Sequence, residues 1–184
     1  MWLYLGEGTY SKGGPTHQYW REFLSLENGR ILNPGTIEVT ARREKSLSRL
    51  KDRDGVYQVA AMTPENLIYT DRESQPVGSF SGSFRSGLTI FDDKGVTAFA
   101  LDFGKRDTFT LSRNDEALGS GHALSLLRKQ RFFRNLEVKG KRYRGKALFE
   151  SSAAELSLKD PLFLACFLLL LQHPIYLPSL VFEA

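Results

Sequence analysis

The residues able to do chemistry are few and scattered. The three histidines, His17, His122 and His173, lie too far apart for the close spacing of a metal-binding pair. His122 falls in Gly119-Ser-Gly-His122, which reads as a turn. The single cysteine, Cys166, sits in an apolar run, where a buried thiol without a cationic neighbour stays protonated and is a poor nucleophile. Gly78-Ser-Phe-Ser-Gly82 has the outer glycines of a nucleophile elbow, but its centre is Phe80. Residues 82–87 have the glycine spacing of a phosphate loop, yet Leu88 follows where a lysine is needed. Asp92-Asp93 leads into Lys94-Gly95, and a hairpin turn is the simpler use of that pair. No catalytic residue, metal ligand or cofactor is expected from these patterns.

Charge gives the stronger signal. Residues 128–146 hold Arg128, Lys129, Arg131, Arg134, Lys139, Lys141, Arg142, Arg144 and Lys146 against one acid, Glu137. The whole chain has a formal net charge of only +4, so its basicity is local. Guanidinium groups contact phosphate through paired N–H donors, and lysines act as point charges. Phe132, Phe133 and Tyr143 are interleaved with the cations and suit a membrane interface. The segment implies an anionic partner, foremost phospholipid or phosphoinositide headgroups, with Arg42, Arg43 and Arg49 as secondary candidates. The bland alternative is a solvated basic face on a structural or protein-interaction domain. Nucleic acid is disfavoured, because no helix-turn-helix, RNA-recognition or zinc-finger pattern accompanies the charge.

The elements that must position this segment are mostly strands. The 184 residues fit a single domain, with 41% apolar and 25% charged residues in ordinary globular proportion. Residues 1–54 predict N-terminal strands of uncertain placement. Residues 2–10 form one candidate strand with glycine kinks, residues 18–26 a helix or strand, and residues 36–40 a strand. Asn28-Gly29 and Asn33-Pro34-Gly35 predict turns, and the charged residues 42–54 an exposed loop or short helix.

From residue 55 the pattern becomes regular. Strands are predicted at 56–59, 66–70, 75–80, 88–91, 96–103 and 108–112, with Phe99, Leu101 and Phe103 on one face at period two. Residues 71–74, 92–95 and 104–107 predict turns. Residues 123–133 predict a helix or bent strand, and residues 135–138 and 143–149 a late hairpin turning at Gly140.

Asp160-Pro161 opens a final helix, with aspartate suited to the N-cap and proline to the first helical position. Gln172-His173-Pro174 ends it. Residues 162–171 are apolar throughout, so this helix has no face for water and must be enclosed. Ten apolar residues fall short of the roughly 20 that span a bilayer, so no transmembrane segment is expected. One cysteine and an N-terminus unlike a signal peptide point to a cytoplasmic protein that reaches membranes only peripherally.

Two phrases, YTDRESQPVG at residues 69–78 and LTIFDDKGVTAF at residues 88–99, each read as strand, acidic turn and return strand. Together with the apolar helix after Asp160 they resemble the tubby C-terminal-like superfamily, which includes tubby proteins, phospholipid scramblases and plant LURP-one-related proteins. The resemblance covers about residues 55–173. It implies a mainly β fold, a closed barrel of about a dozen strands around a buried C-terminal helix, and a non-enzymatic role at anionic lipid. The chain departs from that family in lacking a recognisable scramblase-type calcium segment. The basic pocket of tubby proteins does not align residue by residue, and residues 175–182 run past the expected helix end. A second resemblance, of residues 6–10 and 19–23 to the opening segments of haem-binding nitrobindin-like proteins, implies a calycin-like barrel with an empty interior, which the apolar helix argues against.

Overall fold

In this computed structural model the described backbone comprises residues 1–13, 16–27, 30–42, 45–51, 57–62, 66–70, 75–83, 85–105, 108–122, 133–138 and 141–170. It holds thirteen strands in one antiparallel sheet and one helix. The strands are β1 (Trp2–Gly13), β2 (Thr16–Glu27), β3 (Arg30–Arg42), β4 (Lys45–Lys51), β5 (Tyr57–Met62), β6 (Leu67–Thr70), β7 (Pro76–Ser83), β8 (Gly87–Asp92), β9 (Thr97–Phe103), β10 (Thr108–Arg113), β11 (Glu116–His122), β12 (Phe133–Val138) and β13 (Lys141–Glu150). The helix, α1, is Pro161–Leu170.

β8 and β9 are joined through Asp92, whose carboxylate accepts the N–H groups of Lys94 (2.9 Å) and Val96 (2.8 Å). Gly95, at φ +78°, takes the left-handed position that closes this turn. Neighbours in sequence are neighbours in the sheet from β1 to β11. β13 is the junction strand. It pairs with β12 along residues 141–146, with β11 at Phe149 and Glu150, and with β1 from Glu150 opposite Trp2 to Lys146 opposite Leu5. The β1–β13 register shifts by one at Leu148, and this bulge lets Leu148 and Phe149 both be buried.

Alternation builds the core. Leu88 and Ile90 on β8, Phe99 and Leu101 on β9, and Phe109 and Leu111 on β10 are all buried, while their neighbours are partly exposed. The helix lies against β4 to β9, and Phe163 through Leu170 are buried on every side. Its cap is the predicted one. The Asp160 carboxylate accepts the N–H of Leu162 at 2.9 Å and of Phe163 at 3.4 Å, and Pro161 begins the helix. An aromatic cluster ties helix to sheet. Phe163 is 5.8 Å from Phe99 and 5.1 Å from Phe167, and Phe149 reaches Phe167 at 5.1 Å and Phe109 at 6.2 Å between ring centres.

Three expectations are corrected and one open reading is resolved. Residues 45–51, expected in an exposed loop or short helix, form β4, paired on both edges with β3 and β5; pairing on two sides outweighs weak local preference. Asn33-Pro34 is not a turn but a bulge within β3, where the two residues oppose Leu24 of β2 and the proline's missing N–H is tolerated. His122 is not in a turn. It ends β11, opposite Thr108. The element at 18–26, open between helix and strand, is strand β2. The expected turns at Asn28-Gly29, 71–74 and Gly140 and the helix end at 172–174 lie outside the described residues, as does the element expected at 123–133 except for Phe133, which begins β12.

Candidate functional site

The basic segment is built on a two-stranded ladder. β12 and β13 pair with Val138 opposite Lys141, Glu137 opposite Arg142, Leu136 opposite Tyr143, Asn135 opposite Arg144, Arg134 opposite Gly145 and Phe133 opposite Lys146. Five of the nine predicted cations, Arg134, Lys141, Arg142, Arg144 and Lys146, thus stand in one hairpin register. Arg128, Lys129, Arg131 and Lys139 lie outside the described residues, as does Phe132. Arg142, Arg144 and Lys146 occupy alternate positions of β13, spaced about 6.8 Å apart along the strand. The one acid of the segment, Glu137, is directly across from Arg142 in the register.

The hairpin is fixed to the core through its own chain. Five positions beyond Arg144, the Phe149 ring stacks on Phe109 and meets Phe163 and Phe167. The secondary arginines are not on adjoining strands. Arg42 ends β3 opposite Lys45, Arg49 on β4 stands between Glu38 and Val59, and β1 and β2 intervene between β3 and β13. Arg43 lies outside the described residues.

The other sequence candidates fall into structural roles. Gly78-Ser-Phe-Ser-Gly82 runs within β7, with Phe80 buried. The segment after it is a hairpin connection in which the Ser83 hydroxyl accepts the N–H groups of Arg85 (3.2 Å) and Ser86 (3.1 Å). The Cys166 thiol donates to the Leu162 carbonyl at 3.3 Å. Burial, and then the Asp160 charge, push its pKa far above the ordinary thiol range, so it is no nucleophile. Among the described residues no group of three or more histidine, cysteine or acidic side chains is placed to hold a metal, and no helix is long and apolar enough to cross a membrane.

Sequence reasoning did not find a cleft of about 620 Å³ on the outer side of the sheet. Thr110 of β10 is opposite Ser120 of β11, Ser120 is opposite Glu150 of β13, and Glu150 is opposite Trp2 of β1. These four residues form one row across four strands and line the cleft together with Ser152. Ser151 braces the floor. Its buried hydroxyl donates to the Leu118 carbonyl and accepts the Ala153 N–H at 3.0 Å, while its own N–H donates to the Met1 carbonyl at 3.0 Å. No signal along the chain announces this row, because its members come from opposite ends of it.

Comparison with protein-family models, with curated proteins and with solved structures finds no match to this chain.

Proposed function

We propose that this protein is a non-enzymatic binding module that meets anionic phospholipid or phosphoinositide headgroups through residues 128–146. The observation that carries this reading is the concentration of five cations in the β12–β13 ladder, three of them (Arg142, Arg144 and Lys146) on one face of β13, the strand anchored in the core by Phe149. Near an anionic bilayer each cation contributes about 1 kcal/mol, so the three that share one face of β13, Arg142, Arg144 and Lys146, contribute roughly 3 kcal/mol, or about two powers of ten in partitioning. The site acts at the cytoplasmic face as a peripheral contact.

The fold that presents it is a closed barrel of about a dozen strands around α1, of the tubby-like kind. Two observations support this: the pairing of β1 with β13, which joins the first strand to the last, and the burial of the apolar helix against the sheet. An enclosed helix leaves no room for the empty interior of a calycin-like barrel.

Sedimentation with phosphatidylcholine vesicles, with and without phosphatidylserine or a phosphoinositide, tests the function. Binding confined to the anionic vesicles, and weakening as salt rises, is the expected result. Equal or absent binding to both leaves a structural or protein-interaction domain.

A further inference from the structure

The outer cleft has a chemistry opposite to that of the basic hairpin. Its one charged lining residue is Glu150, which is exposed; Thr110, Ser120 and Ser152 bring hydroxyls and Trp2 an indole, over a floor of Ala117, Leu118, Gly119 and Ser151. A carboxylate only accepts hydrogen bonds, whereas each hydroxyl both donates and accepts. Such a set matches a ligand that is itself rich in hydroxyl groups. A phosphate or carboxylate ligand would meet Glu150 without a cation in the described lining to balance it. An indole adds a flat apolar surface with a polar edge, suited to the C–H face of a sugar ring.

Geometry supports the same class. Three inter-strand steps separate Thr110 from Trp2, about 14 Å in all, which accommodates two linked rings. The volume of about 620 Å³ lies within the range of small-molecule sites. The row rests on paired strands and on the Ser151 brace, so the backbone that carries it is fixed.

We infer that the Thr110–Ser120–Glu150–Trp2 row is a binding site for a neutral saccharide. The indole stacks on one ring, and Glu150 accepts from ring hydroxyls, the strongest polar contact of the set because it is charge-assisted. The site is independent of the lipid-binding reading.

The test is calorimetric titration of the full chain with maltose, cellobiose and chitobiose, with choline chloride as a cationic probe. At least one disaccharide is expected to bind. Glu150→Gln is expected to weaken it roughly tenfold or more, and Thr110→Val to weaken it by less. Both changes are at partly or fully exposed positions, and thermal melts report whether each variant is folded. Replacing Lys139, Lys141, Arg142 and Arg144 with glutamine is expected to leave sugar binding unchanged, which separates this site from the hairpin. Binding of choline without any disaccharide, or disaccharide binding unaffected by Glu150→Gln, would overturn the inference, as would absence of binding by all three sugars.

Discussion

The Arg113 guanidinium lies 4.4 Å from the centre of the Phe99 ring. The same group is 3.8 Å from the Asp160 carboxylate, which caps α1, and Phe99 is in turn 5.8 Å from Phe163 inside that helix. One side chain at the end of β10 therefore touches both the start of the helix and the aromatic core that receives it. The helix entry angle is fixed by packing and capping together.

Capping should outweigh the ion pair. Asp160→Ala is expected to cost about 1 kcal/mol, through loss of the acceptor for the Leu162 and Phe163 N–H groups. Asp160→Asn keeps an acceptor oxygen and should cost much less, because the pair with Arg113 is over a third exposed on both sides. Urea midpoints measure both; equal losses would show that charge, not capping, dominates.

The aromatic cluster is the larger contribution. Phe163 is fully buried and touches rings from β9, β13 and its own helix. Phe163→Ala is expected to lower stability by about 3–5 kcal/mol. Phe163→Leu, which keeps most of the volume, should lose less than half of that. Denaturant unfolding followed by tryptophan emission provides the comparison.

Close approach should dominate backbone freedom among the glycines. At Gly121 an added Cβ would run into the Leu148 carbonyl and lie 2.6 Å from the Phe109 ring. Gly121→Ala is expected to cost about 1–3 kcal/mol or more by overpacking. Gly95→Ala meets open space and loses only the cost of its left-handed φ, about 1–2 kcal/mol. Thermal melts that rank Gly95→Ala as the more damaging change would contradict this.

Cys166 should be silent in the folded protein. Its raised pKa means that the folded chain keeps a proton that the unfolded chain releases above about pH 8.5. Stability is therefore fully present below that range and declines as pH rises through it. Cys166→Ala should show a shallower decline between about pH 8 and about pH 10. A disulfide reagent should label the wild type only as fast as it unfolds, and rapid labelling of folded protein would refute its burial.

Some of this architecture is legible along the chain. Strands β5 to β10 announce themselves by alternation and by turns such as Asp92–Gly95, and α1 by Asp160-Pro161 before an unbroken apolar run. β4 is not legible, because Lys45 to Lys51 has no period-two pattern and owes its form to partners on both edges. β11 is hidden by Gly119 and Gly121, which weaken strand preference but admit the Phe149 and Phe109 rings. Its start at Asn114-Asp115 relies on two positive φ angles, 51° and 63°, that a residue name alone does not declare. The basic hairpin could be read because its charge is contiguous. The Thr110–Trp2 row could not, because register across four strands is a tertiary property.

Vesicle binding by a charge-neutralised hairpin tests the proposed contact between β12–β13 and anionic headgroups. Lys139, Lys141, Arg142 and Arg144 are changed together to glutamine, and binding to phosphatidylserine-containing vesicles is compared with wild type at low and moderate salt. A loss of about 2 kcal/mol or more at low salt, roughly thirtyfold or more, and a flatter salt dependence are expected in a variant that melts like the wild type. Undiminished anionic-vesicle binding by that folded variant would contradict it.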